Sequence, residues 1–103
     1  MEKLASIITE RVWIDNMTHA DQLGAILASV QSKVLALCKM SLSEENTRAL
    51  VTAMRARVQE VRLVSVTLDP ELLAAYDGQG KCTRLAVWYD TKTRYEARLR
   101  RWA

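Results

Sequence analysis

Residues 34–51 read VLALCKMSLSEENTRALV, and they contain the turn on which the fold prediction depends. Ser43 is followed by Glu44 and Glu45, which is typical of a helix N-terminus. A serine side chain accepts a hydrogen bond from a free backbone N–H, and acidic residues favour the positive end of the helix dipole. We therefore expect a helix to begin at Ser43 and to run to about Arg62. Its apolar stripe is Leu50, Val51, Met54, Val58 and Val61.

The segment before this turn has a second helical pattern. Thr18 stands three residues before Asp21, as in a capping box, and the apolar residues that follow keep helical spacing as far as Met40. They are Leu23, Ile26, Leu27, Val30, Val34, Leu37 and Cys38. Two helices of roughly 20 residues, joined by about three, must fold back on each other. The sequence thus predicts a long antiparallel helical hairpin.

A strand pattern follows the hairpin. Residues 63–68 alternate in hydrophobicity and are rich in β-branched side chains, and residues 83–89 alternate in the same way. Between them, Asp69 and Pro70 indicate the start of a short helix. The connection of about 13 residues is short for a parallel crossover, so we expect an antiparallel pair.

Residues 4–13 suit a short amphipathic helix, although RVWID at residues 11–15 could instead be extended. An extended segment would add a third strand to the predicted pair, whose edges are otherwise uncovered. The same edge could be covered by a second subunit. Small residues on both predicted helices, such as Ala28 and Ala53, also favour a homodimer, unless alanine is there only as a good helix former.

The C-terminal residues carry most of the positive charge. Residues 81–103 contain seven basic and two acidic side chains, against eight basic and ten acidic in residues 1–80. Tyr95, Leu99 and Trp102 follow helical spacing, and an arginine row is rotated from them by one residue. That row is Arg94, Arg98 and Arg101. This pattern predicts an amphipathic, basic C-terminal helix beginning after Asp90.

The fold class expected is therefore α+β, with the hairpin, a small antiparallel β pair and the basic helix in one domain of residues 1–103. That length is near the commonest domain size, and half of the residues are apolar, as in folded globular proteins. We find no internal repeat in the sequence. No apolar run is long enough to span a membrane, and the N-terminus lacks a signal-peptide pattern. We expect a cytoplasmic protein with Cys38 and Cys82 as buried, reduced thiols.

The sequence gives little support to catalytic or metal chemistry. A single histidine, His19, and two cysteines without CxxC spacing do not make a usual zinc site or a catalytic triad. GQGKCT at residues 78–83 lacks the Walker spacing, so we interpret it as a flexible turn. The turn between the hairpin helices lacks the glycine typical of helix-turn-helix DNA readers. We expect no enzyme activity, no cofactor and no metal.

Basic and aromatic side chains near the C-terminus are the candidate binding residues. They are Arg84, Lys92, Arg94, Tyr95, Arg98, Arg101 and Trp102. We expect a small non-enzymatic protein-binding module, such as a regulator or inhibitor, whose partner has an acidic surface. The alternative is a nucleic-acid-binding protein that contacts phosphates through the same residues. A solvated helix face without a partner would carry the same pattern.

Overall fold

The computed structural model describes residues 9–16, 20–90 and 95–101. Eight helices and strands lie within these residues. In chain order they are β1 (Thr9–Asp15), α1 (Ala20–Ser29), β2 (Ser32–Ser41), α2 (Glu44–Ala56), β3 (Val58–Thr67), α3 (Pro70–Ala74), β4 (Arg84–Asp90) and β5 (Tyr95–Arg101).

The strands form one five-stranded sheet in the order β1-β2-β3-β4-β5. The first four are parallel, and β5 is antiparallel to β4. The fold is therefore α/β, with short helices between parallel strands. The predicted α+β class, the helical hairpin and the antiparallel β pair are all wrong.

The hairpin prediction failed because residues 32–41 form a central strand. A strand between two parallel neighbours is buried on both faces and reads as a continuous apolar run. Such a run, here VLALC at residues 34–38, fits a helical pattern as well as a strand. The chain leaves α1 at Val30 and pairs along β1 and β3 instead. Because residues from Val58 onward pair with β2, helix α2 ends at Ala56 and does not continue to about Arg62 as predicted.

Other predicted features are confirmed. The side chain of Ser43 caps α2 by accepting a hydrogen bond from the Asn46 N–H at 3.1 Å. Asp69 caps α3, with Pro70 at the first helical position. The strands expected at 63–68 and 83–89 lie within or beside β3 and β4. The extended alternative for residues 11–15 is right, since they belong to β1, and residues 1–8 lie outside the described residues.

Successive β–α units repeat at similar lengths. Ser32 pairs with Val58 and Leu35 with Val61, an offset of 26 residues, while the β1–β2 and β3–β4 offsets are 23 and 24. A repeat that is not evident in the sequence is therefore present in the register of the sheet. It was hidden because only the apolar positions repeat, and their identities vary.

A row of three left-handed residues crosses the sheet near the ends of its parallel strands. Asn16, Lys39 and Ser65 have φ values of 53°, 54° and 53°. The register places them side by side, because their neighbours Asp15 and Cys38 are paired, as are Cys38 and Val64. Each residue in this conformation shifts the alternation of side chains between the two sides of the sheet by one position. Apolar residues before and after it can therefore both face the core on the helix side.

The apolar spacing of β2 and β3 follows from this shift. Before Lys39 the core residues are Leu35 and Leu37, and after it they are Met40 and Leu42. The spacing in β3 is the same, with Val61 and Leu63 before Ser65 and the partly buried Val66 and Leu68 after it.

All three helices pack on one side of the sheet. Side chains from α1 and α2 form a single apolar core with the inward residues of β1 to β4, and Leu73 of α3 packs against that core. Connections between sequentially adjacent parallel strands are right-handed, so they all lie on the same side. The helices contact one another in order, α1 with α2 and α2 with α3. Of the described helices, none is long and apolar enough to cross a membrane.

Arg57 joins two successive units. Its side chain donates hydrogen bonds to the Leu27 carbonyl at 2.8 Å and to the Val30 carbonyl at 3.2 Å. These carbonyls lie at the C-terminal end of α1, which has no basic residue in its own last turn. The positive guanidinium therefore satisfies free carbonyls and the helix dipole of the preceding unit.

The GQGK segment, residues 78–81, is not the flexible turn that was predicted. It forms a clamp, by which we mean that the chain here is hydrogen-bonded to the C-terminal end of α2. The N–H groups of Lys81 and Cys82 donate to the carbonyls of Arg55 and Met54, at 3.0 and 2.8 Å. The buried hydroxyl of Tyr76 donates to the Cys82 carbonyl at 2.5 Å. Burial raises the pKa of Tyr76 above its ordinary value. The segment thus caps the C-terminal end of α2 and leads the chain into β4.

Gly80 is predicted to be essential for this clamp. A Cβ atom at this position would lie 2.7 Å from the Arg55 Cα, which is backbone and cannot move aside easily. Gly80→Ala should lower the free energy of unfolding by about 1–3 kcal/mol in urea denaturation. The neighbouring exposed Gln79→Ala should change it by less than about 0.5 kcal/mol. Equal stability of the two variants would contradict the close packing.

Lys39 provides a test of the left-handed row. Glycine relieves the left-handed strain of roughly 1–2 kcal/mol but makes the unfolded chain more flexible, at a cost of about 0.5–1 kcal/mol. Lys39→Gly should therefore leave the free energy of unfolding unchanged or raise it by up to about 1 kcal/mol. Lys33→Gly, in the same strand but without positive φ, should lower it by about 1 kcal/mol. If thermal or urea unfolding shows that Lys39→Gly and Lys33→Gly lose the same free energy of unfolding, the left-handed conformation of Lys39 is contradicted.

Candidate binding face

The sheet has a second side on which no helix lies within the described residues. Its strand positions alternate with those that enter the core, such as Ile14, Leu35 and Leu63. Ala36, Cys38 and Ala86 are buried, yet they do not belong to the core cluster, which places them on the other side. We call this side the open face. Its residues are Arg11, Trp13, Asp15, Val34, Ala36, Cys38, Glu60, Arg62, Val64, Arg84, Ala86 and Trp88.

The register arranges these residues in rows across the strands. Trp13, Ala36, Arg62 and Ala86 occupy one row in neighbouring strands. The two alanines are only 1% and 7% exposed, and none of the described helices lies on their side of the sheet. The register places the longer side chains of Trp13 and Arg62 on either side of Ala36. Trp13 itself remains 59% exposed.

An acidic side chain organises the centre of the open face. Glu60 is only 9% exposed and accepts a hydrogen bond from the Arg62 Nε at 2.5 Å. Its other carboxylate oxygen lies 3.3 Å from the Arg84 Nη1. One buried carboxylate thus holds two guanidinium groups whose side chains are 38% and 52% exposed. A guanidinium has five N–H donors, so the contacts with Glu60 use only part of those of Arg62 and Arg84.

The open face carries an excess of positive charge. Arg11, Arg62 and Arg84 lie on it with Asp15 and Glu60, and Arg101 is directly opposite Arg84 in the β4–β5 register. Counted with Arg101, four arginines stand against the two carboxylates of Asp15 and Glu60, so two positive charges remain. The face therefore combines arginines with exposed or half-buried apolar side chains, which is the composition typical of protein-interaction surfaces.

The two thiols are poor nucleophiles. Cys38 lies on the open face but is 3% exposed, and burial, followed by the charge of Asp15, raises its pKa above the ordinary thiol value. Burial also raises the pKa of Cys82, whose thiol donates a hydrogen bond to the Arg84 carbonyl at 3.3 Å. A raised pKa keeps both groups in the unreactive thiol form at neutral pH. The expected burial of both free cysteines is confirmed.

No described group of His, Cys, Asp and Glu residues is arranged to hold a metal ion. A cleft of about 10 Å³ lies where β3, β4 and β5 meet, enough space for about one water molecule. It is lined by Glu60, Arg84, Leu85, Ala86, Arg100 and Arg101.

The predicted basic helix is wrong, because residues 95–101 form the edge strand β5. Of the predicted site residues, the sheet brings together Arg84 and Arg101, which are paired in register. Arg98 is opposite Val87, and strand positions 98 and 101 belong to opposite faces. Tyr95 is opposite Asp90 at the end of the strand. Lys92, Arg94 and Trp102 lie outside the described residues.

Sequence reasoning did not include Trp13, Glu60 and Arg62 of the open face among the candidate binding residues. A usable signal existed in RVWID at residues 11–15, where charged and aromatic residues alternate with Val12 and Ile14. The same alternation occurs in residues 60–64, but the helical interpretation of that segment concealed it.

Comparisons with protein-family models, with curated proteins and with solved structures give no match to this chain. A proposal for the function of this chain therefore rests on the geometry of the open face.

The role of Glu60 can be tested by removing its charge. Glu60→Gln should lower the free energy of unfolding by about 1 kcal/mol, because the two arginines lose a charged acceptor. It should also strengthen binding of a polyanion such as heparin at low salt, since the arginines are no longer neutralised. Glu44→Gln is the matched control, because it removes the same charge from an exposed i,i+4 pair with Arg48. Equal gains in heparin affinity for both variants would contradict a local role.

Proposed function

We propose that this chain is a non-enzymatic binding module that holds an acidic protein surface against its open face. The observation that carries the proposal is the placement of the helices. They lie on one side of the sheet, and within the described residues they leave Trp13, Arg62 and Arg84 accessible on the other. The binding surface proposed here is therefore the sheet, and not a C-terminal helix.

The repeated β–α units support this function. The apolar spacing of residues 32–42 and 58–68 resembles the L-x-x-L-x-L-x-x-N/C-x-L pattern of leucine-rich repeats. It departs from that pattern at Ser32, and at Met40 and Val66, which stand where Asn or Cys is usual. Repeat proteins of this kind bind their partners through the extended surface that successive units form together.

The chemistry of the face favours an acidic protein partner. Arginine and tryptophan are the residues most often responsible for binding energy at protein interfaces. Glu60 fixes the positions of Arg62 and Arg84 before binding, so less side-chain entropy is lost when a partner arrives. Their remaining N–H donors suit carboxylates, which can accept paired hydrogen bonds from a guanidinium. The excess positive charge would also speed association with an acidic surface.

A nucleic acid is less well matched to this face. Asp15 and Glu60 place negative charge among the arginines, where a phosphate chain would be repelled. Trp13 and Trp88 are three strands apart, roughly 14 Å at the usual strand spacing, so they do not form a continuous stacking platform for adjacent bases. Nucleic-acid binding is the alternative that the experiment must separate. We propose that binding takes place in the cytoplasm.

The proposed function predicts a specific effect of two arginines. Pull-downs are made from lysate of the native host before and after nuclease treatment. In the treated lysate, the Arg62→Gln/Arg84→Gln variant should lose a partner that the wild type retains. Glutamine keeps hydrogen-bond donors for Glu60 but removes both charges. The matched control is Arg48→Gln/Arg55→Gln, which removes two charges from the exposed side of helix α2. That control should retain the partner.

The captured protein should then be purified and titrated against all three forms. We expect at least tenfold weaker binding for the open-face variant and less than threefold change for the control. An identical loss in both double variants would contradict the proposal, as would retention of every partner. Binding that disappears after nuclease treatment would instead identify the nucleic-acid alternative.

A further inference from the structure

The outer edge of β1 is a second candidate surface. Within residues 9–16, 20–90 and 95–101, β1 pairs only with β2, and its other edge has no strand partner. An uncovered strand edge presents a row of backbone donors and acceptors that readily pair with another chain. The exposed Trp13 lies in the middle of this strand. This edge can therefore accept a partner strand that extends the sheet.

The sequence of β1 is chemically self-complementary. Around Trp13 the order is Arg11, Val12, Trp13, Ile14 and Asp15, so a basic and an acidic residue stand at equal distances from a central aromatic ring. Arg11, Trp13 and Asp15 are all exposed on the open face. Neither charged residue has an ion-pair partner among the described residues.

We infer that a second copy of this chain pairs antiparallel with β1 across a twofold axis at Trp13. In this register Arg11 is opposite Asp15 of the second copy, and Asp15 is opposite the second Arg11. Trp13 is opposite its own counterpart, and Val12 is opposite the second Ile14. Opposite-charge, aromatic and apolar cross-strand pairs all stabilise an antiparallel sheet. The two sheets then form one continuous sheet of ten strands.

Compared with the neighbouring registers, only this one places Arg11 opposite Asp15 of the second copy. A twofold axis perpendicular to the sheet keeps both helix layers on the same side, so residues of the open face must be opposite residues of the open face. An axis at Val12 would place Arg11 opposite Trp13, and an axis at Ile14 would place Asp15 opposite Trp13. In both alternatives neither Arg11 nor Asp15 is opposite a residue of opposite charge.

Charge reversal provides the test. Sedimentation equilibrium of the 103-residue chain at 5–200 µM (about the range in which a weak dimer is populated) should give a dimer mass for the wild type. Arg11→Asp and Asp15→Arg should each weaken dimerisation by roughly tenfold or more, because two attractive pairs become repulsive. The double variant Arg11→Asp/Asp15→Arg should restore the dimer, because the charges are again opposite. Arg48→Asp on α2 is the control and should leave the dimer unchanged.

Each result has a clear meaning. A wild-type chain that is monomeric across this range overturns the inference, and a different segment or partner then covers β1. A dimer that resists both single reversals uses another surface and also overturns it. Circular dichroism of every variant verifies folding, and amide hydrogen exchange of residues 9–15 should slow as wild-type concentration rises. This outcome is independent of the partner experiment, which depends on Arg62 and Arg84.

Discussion

The pairing of β2 with β3 is the contact on which the rest of the structure depends. These central strands each have ten residues, and their constant offset of 26 places one β–α unit directly beside the next. Because the strands are parallel and adjacent in both sequence and space, each connection must cross on the same side of the sheet. That single constraint builds the helix layer on one side and leaves the open face on the other.

The same pairing explains the left-handed row. Each β–α unit buries apolar residues both before and after its left-handed residue, where the alternation of side chains between the two sides of the sheet shifts by one position. Lys39 and Ser65 supply one extra residue each at neighbouring positions, so both strands change phase together and remain paired afterwards. Non-glycine residues in this conformation carry local strain, which the surrounding hydrogen bonds and core contacts must offset. The two strands therefore depend on each other for their geometry as well as for their hydrogen bonds.

Local signals predicted part of this structure and could not predict its topology. Ser43 and Asp69 cap helices as expected, since capping depends on a few neighbouring residues. Whether residues 32–41 form a strand depends on β1 and β3, which are distant in sequence. The C-terminal arginines show the same limit, because Arg98 and Arg101 share a helix face but occupy opposite faces of a strand. Of the residues predicted for the site, the sheet places Arg84 and Arg101 next to each other.

Glu60 shows how the site depends on topology. Its carboxylate can hold Arg62 from its own strand in any β conformation, but it reaches Arg84 only because β4 lies next to β3 in the parallel register. The same pairing places Arg101 of β5 beside Arg84. A charge cluster drawn from three strands thus follows from strand order and has no signature in any one segment. The open face differs in this respect from the β1 edge, whose self-complementary order is already present in five consecutive residues. The two surfaces meet at Trp13, so a twofold partner at that edge would enlarge the binding face without covering its arginine centre.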